Sequence, residues 1–384
     1  MTLQVPDYIR SLIPYVPGKP IEETQREFNI KRVVKLASNE NPLGASPKAL
    51  RAIQMAAKDL HRYPDGGGFR LKKALSTQYG IKPSQIILGN GSNEIIDHLI
   101  RTYCVPGDAV VTHRGAFIAY KICAQVHGVT TLEVPVDAEL SWDVEELLQS
   151  VRNNSKVRIV FLANPNNPTG AYFDGAKLDT LVKGLASIRD GSVVLVLDYA
   201  YWEYVRAKDL PDPIKALTKY RHTVILRTFS KIHGLAGLRV GYGVASPEMI
   251  SDLEKVRQPF NVGSLALVGA EAALFDLAFI KRSRALNERA LGFWEKGLSR
   301  LGIPFWKSQG NFLLADVQKG IGKSASDLTQ ACLARGVIFR PIANYGFPGL
   351  LRITMGTSDE NEMALEVLSD QRTGANKNNM RGKR

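Results

Sequence analysis

Cysteine is scarce in this chain, with three residues in 384. Cys104, Cys123 and Cys332 are odd in number, far apart and set in apolar, helix-like segments. That pattern argues against a disulfide framework or a zinc cluster and predicts reduced packing residues, with no metal site. Long apolar runs are missing too, since none reaches the roughly 18 residues of a membrane span. The opening stretch Met1-Thr-Leu-Gln-Val-Pro-Asp7 has neither the basic start nor the apolar core of an export signal, which predicts a cytoplasmic protein with no membrane attachment. Acidic residues are in deficit, giving a net charge of +13. Residues 372–384 hold five basic side chains (Arg372, Lys377, Arg381, Lys383 and Arg384) and no acidic one, leaving +8 on the rest. This tail has no apolar periodicity and is expected to be disordered. The remaining excess suits anionic ligands more than nucleic acid, because the motifs described below begin near residue 12 and leave no room for a DNA-reading helical module ahead of them.

Against those absences stands a regular alternation. Apolar runs at 85–88, 109–112, 157–162, 192–197 and 222–226 read as buried strands separated by amphipathic helices. An α/β fold follows: a large domain with a mostly parallel sheet flanked by helices, plus a smaller C-terminal α/β domain. Residues 263–301 read as one or two long helices, and runs at 311–316, 337–339 and 350–354 as strands of the smaller unit. The expected divisions are an arm with part of the small domain at 1–40, the large domain at 41–262, the small domain at 263–371 and the tail at 372–384. No repeat and no Gly/Ser-rich linker separates them.

The polar motifs fall at the predicted carboxyl ends of strands, where ligands bind in such sheets. Lys231, between an apolar run and the turn Gly234-Leu-Ala-Gly237, is a candidate for forming a Schiff base with pyridoxal phosphate and for carrying the proton at a substrate's Cα. Asp198, after the strand ending at Leu197, would keep the cofactor's ring nitrogen protonated; a helix cap is its structural alternative. Tyr201 and Asn167 would donate to the phenolic oxygen, although a tyrosine there also fits simple packing. Gly91-Ser92-Asn93 opens a helix, and helix N-termini present free N–H groups to phosphate; Thr228, Ser230 and Arg239 would complete that cradle. Phe117 is placed against the ring face, with core packing as the equal alternative.

Taken together, Gly91-Ser92-Asn93, Asn167-Pro-Thr-Gly170, Asp198-x-x-Tyr201, Ser230-Lys231 and Arg239 resemble the fold-type I pyridoxal-phosphate aminotransferases over nearly the whole chain. Leu12-Ile-Pro-Tyr15, Asn39-Glu-Asn-Pro-Leu-Gly44 and Arg62-Tyr63-Pro-Asp65 are similar to the histidinol-phosphate aminotransferase family within that group. The resemblance implies transamination between histidinol phosphate and 2-oxoglutarate. It also implies a homodimer with shared sites, in which Tyr63 reaches the cofactor phosphate of the partner. Arg352, Arg340, Tyr15 and Asn39 would then bind substrate. Where the family usually has Pro-Thr before its stacking aromatic, this chain has Gly115-Ala116. The stretch Arg340-Pro-Ile-Ala-Asn-Tyr-Gly-Phe-Pro348 resembles relatives of which some accept aromatic amino acids. An aromatic aminotransferase is therefore the alternative, followed by a threonine-phosphate decarboxylase.

Overall fold

The structure, a computed structural model, describes residues 3–381, with side chains as far as residue 372. In chain order the strands are β1 (Val34–Lys35), β2 (Ile86–Gly89), β3 (Ala109–His113), β4 (Thr130–Val134), β5 (Val157–Ala163), β6 (Val194–Asp198), β7 (Thr223–Thr228), β8 (Gly241–Val244), β9 (Phe305–Trp306), β10 (Phe312–Asp316), β11 (Val337–Ile338), β12 (Arg340–Pro341) and β13 (Leu350–Thr354). Strands β2 to β8 form one sheet in the order β2-β8-β7-β6-β5-β3-β4. Only β8 is reversed in it, pairing antiparallel with both β2 and β7. The near-continuous apolar character of β5 and β6 follows from cover on both faces. Val160, Leu162, Leu195 and Leu197 pack into one core, while Ile159, Phe161, Val194 and Val196 pack into the other.

Helix starts are set by side chains that accept the otherwise unpaired first N–H groups. Ser46, Asp143, Asp174, Ser246 and Asp276 each do so, a contribution of about 1 kcal/mol per cap. The long predicted helical region divides into Ser264–Leu274 and Leu277–Arg300, interrupted at the Asp276 cap. Cys332 is buried, whereas Cys104 and Cys123 are half-buried against the core, and all three are free.

The second sheet, β12-β13-β10-β9, is antiparallel. Its core joins Trp294, Leu313 and Ile353 to Val34 and Leu36, because β1 pairs in parallel with β11 and brings the N-terminal segment alongside. Helix Ser358–Arg381 continues through residues for which the sequence predicts no regular structure. Once its first turns are packed, adding residues to an existing helix costs little. Residues 382–384 of that tail lie outside the described residues. No helix among the described residues is long and apolar enough to cross a membrane.

Candidate active site

Three parallel strands end side by side and deliver their last residues to one cavity of about 270 Å³, which the second sheet closes from the other side. Asp198 is the final residue of β6 and is buried. Its Oδ2 accepts from Tyr120 Oη at 3.0 Å and its Oδ1 from the Ala200 N–H at 3.0 Å. Burial nonetheless pushes its carboxyl up to about 6, against the lowering effect of those two hydrogen bonds and of Lys231 and Arg227.

Lys231 follows β7 on the turn that carries Thr228 and Ser230 into the same cavity. Its Nζ donates to Ser38 O at 3.3 Å and lies 5.5 Å from the centre of the Tyr201 ring. Desolvation, with Arg352 and Arg239 nearby, pushes this amine down to about 8, although Glu40 and Asp198 act in the opposite sense. Tyr201 is itself fixed: its Oη accepts from Asn39 Nδ2 at 2.9 Å, and Thr354 Oγ1 in turn donates to Asn39 Oδ1 at 2.9 Å. Burial holds the Tyr201 phenol well above the usual range. Nearby, the buried Arg227 of β7 pairs with the half-buried Glu203 and ties the strand before Lys231 to the segment after Asp198.

The reversed strand β8 explains the opposite wall. Gly241 at its start passes so close to the turn before helix Ser92–Tyr103 that a Cβ there would sit 2.7 Å from Ser92 N. Arg239, two residues earlier, is thereby set beside Gly91, where a Cβ would lie 2.3 Å from its guanidinium. Arg239 Nη1 donates to Ser230 Oγ at 3.1 Å, and Thr228 Oγ1 to the same oxygen at 3.0 Å. Ser92 and Asn93 also line the cavity, so hydroxyls, a guanidinium and a helix N-terminus converge.

On the far side Arg340 of β12 and Arg352 of β13 are direct register partners. Arg352 is buried and donates to Asn167 Oδ1 at 2.6 Å and to Ala37 O at 2.5 Å, both neutral acceptors, while its Nε has no partner among the described residues. Arg340 donates to Val16 O at 3.0 Å and covers the Tyr15 ring at 5.6 Å. Two guanidiniums held opposite each other repel, so the corner is prepared for an anion.

Phe117 lines this cavity at the start of helix Ile118–Val126, edge-on to Tyr120. Every candidate site residue lines this cavity except Gly91, which backs Arg239, and Tyr63. That ring is 83% exposed, away from this chain's cavity, and stacks on Phe260 at 4.9 Å. Tyr120 and Tyr345 were not singled out. Tyr120 was accessible to reasoning, since it stands one helical turn after Phe117 and shares its face. Tyr345 lies in a Gly- and Pro-rich stretch whose conformation no periodicity reveals.

A family described as aminotransferase class I and II matches residues 31–368. A histidinol-phosphate aminotransferase of Anaeromyxobacter sp. is 45% identical, covering 95% of this chain and 98% of its own length. A histidinol-phosphate aminotransferase 2 of Pseudomonas fluorescens is 45% identical over 94% of this chain and 95% of its own length. Among solved structures, the histidinol-phosphate aminotransferase of Sinorhizobium meliloti in complex with pyridoxal-5'-phosphate superposes with a TM-score of 0.86 at 26% identity, covering 97% of this chain and 99% of that one.

Proposed function

Since the chain belongs to the class I and II aminotransferases, and within them to the histidinol-phosphate aminotransferase family, we propose that it exchanges an amino group between L-histidinol phosphate and 2-oxoglutarate. The products are imidazole-acetol phosphate and L-glutamate, and histidine biosynthesis runs the reaction in reverse. The facing pair Arg340 and Arg352 carries this substrate reading, because it offers two guanidiniums, one of them buried without a carboxylate partner among the described residues, where a phosphate ester would end.

Pyridoxal 5'-phosphate is the cofactor, and the cavity fits it. A buried carboxylate bonded, among the described residues, to the neutral Tyr120 and Ala200 suits a protonated ring nitrogen, and the Ser230, Thr228 and Arg239 donors suit a phosphate. When bound, this group draws electron density from the substrate's Cα and makes the proton there removable.

The residues divide the remaining work. Lys231 would hold the cofactor at its aldehyde carbon, and its amine would accept and return the proton at the substrate's Cα; brought down to about 8, that amine is partly neutral near neutral pH. Asp198, ionised above about 6, holds the proton on the ring nitrogen. Tyr201 and Asn167 orient the phenolic oxygen, with Asn39 setting the Tyr201 hydroxyl and contributing to the substrate side. Gly91, Ser92, Asn93, Thr228, Ser230 and Arg239 bind the cofactor phosphate, and Phe117 covers the ring. Tyr15, Arg340 and Arg352 bind the substrate phosphate. The protein works as a cytoplasmic homodimer, Tyr63 crossing to the partner's cofactor phosphate.

Adding amines one at a time to the holoenzyme and following the cofactor's absorbance tests this reading. Histidinol phosphate is expected to react best, and histidinol to lose roughly two powers of ten in kcat/KM through the missing charge-assisted contacts. Phenylalanine or tyrosine as the best donor would replace the substrate assignment with an aromatic aminotransferase. Release of carbon dioxide from a phosphorylated amino acid would replace transamination with decarboxylation.

A further inference from the structure

Tyr345 stands in the anion corner, yet neither the motifs nor the cofactor contacts account for it. Its ring is buried and lines the cavity with Tyr15, Arg340 and Arg352. Ile118, the first residue of the helix that follows Phe117, packs against the same cluster as the ring, and the positive charges acting on the phenol are those of Arg352 and Arg340. The phenol O–H carries one proton for donation. Guanidiniums only donate, so they offer this proton no acceptor. Behind the ring lies a second cavity of about 320 Å³, lined by Arg114, Lys121 and Asn344, and Tyr345 and Phe117 line both spaces. Tyr345 is therefore a wall between the two spaces.

We propose that Tyr345 is a specificity-determining residue, its hydroxyl donating to the substrate's distal anion and favouring a phosphate over a carboxylate, while its ring closes the site against longer donors. This rests on the substrate reading above. A phosphate offers three terminal oxygens and more charge, enough acceptors for Tyr15, two guanidiniums and a further hydroxyl together. A carboxylate has two oxygens, which the guanidiniums already occupy, so it gains less from the fourth donor.

Tyr345→Phe keeps the wall and removes only the hydroxyl. With 2-oxoglutarate as acceptor, kcat/KM for histidinol phosphate should fall roughly tenfold or more, mostly through KM, while that for phenylalanine changes by less than about threefold. Tyr345→Ala opens the wall as well, and should additionally raise the relative rate of donors longer than phenylalanine. Equal losses with both donors in Tyr345→Phe, or a loss confined to kcat, would mean that the residue only supports the fold and would overturn the proposal. The wild-type enzyme alone decides the substrate reading: a preference for phenylalanine removes that reading, while the change of donor ratio in Tyr345→Phe still decides the role of Tyr345. A wild type inert toward histidinol phosphate overturns both.

Discussion

Asp198 shows how a single residue trades stability for function. Its carboxyl is raised from 3.8 to about 6 because the ionised form is buried. The folded state therefore binds more protons than the unfolded state between these values, and stability falls as pH rises through that window, staying low above it. The full effect above pH 6 is at most about 3 kcal/mol against the folded apoprotein. Asp198→Asn removes the charge but leaves one of the two hydrogen bonds from Tyr120 and Ala200 poorly matched, so the net gain for the apoprotein at pH 7.5 should be about 1 to 2 kcal/mol. Denaturant titration should show that gain shrinking by pH 4.5, where the folded wild-type carboxyl is already protonated. The same substitution should cost orders of magnitude in turnover with cofactor still bound, since an amide cannot stabilise a positive ring nitrogen. Near-normal turnover would remove Asp198 from the mechanism.

At the scale of elements, the turn before helix Ser92–Tyr103 depends on a glycine for two reasons. Gly91 has φ +78°, which side chains rarely adopt, and a Cβ would drive into the Arg239 guanidinium at 2.3 Å. Gly91→Ala should therefore displace Arg239 and raise the dissociation constant for cofactor at least tenfold by equilibrium dialysis, with circular dichroism unchanged; unaltered affinity would detach this turn from the phosphate cradle. The glycine was visible in the sequence, but the strand that makes it necessary was not. Segments such as Val157–Ala163 announce themselves because burial on both faces demands an unbroken apolar run. By contrast Gly241–Val244 contains two glycines in four residues and offers no unbroken apolar run, although it is the reversed strand that aims Arg239. Thr130–Val134 was equally obscure, being an edge strand with exposed polar residues. The facing of Arg340 and Arg352 depends on antiparallel register across an intervening loop, a relation that spacing alone does not encode. Local chemistry thus singled out Lys231, Asp198 and Asn167 as candidates, while long-range pairing decided how the arginines and Tyr345 come to line the same cavity.

At the scale of the whole molecule, the proposed dimer turns on Tyr63, which is exposed. It stacks on Phe260, a residue held at φ +58°, and Leu60 and Phe69 are exposed nearby in sequence. A non-glycine residue kept in that conformation beside exposed rings is a pattern of functional contact surfaces, and a C2 dimer would cover them on both chains at once. If Tyr63 serves the other subunit's cofactor phosphate, two defective chains can complement. Consider a Lys231→Ala chain mixed with a Tyr63→Ala chain. In the heterodimer the site lacking Lys231 receives the truncated Tyr63 and stays dead, whereas the site with an intact Lys231 receives the intact Tyr63 of the other chain. One of its two sites is complete. Co-refolded mixtures should then exceed the summed activity of the separate variants, approaching half the wild-type rate per heterodimer as its fraction grows. Had Tyr63 acted within its own chain, each site in that heterodimer would carry one defect, and mixing would restore nothing. Sedimentation at assay concentrations distinguishes the remaining case, because a mixture that stays monomeric would refute the dimer itself.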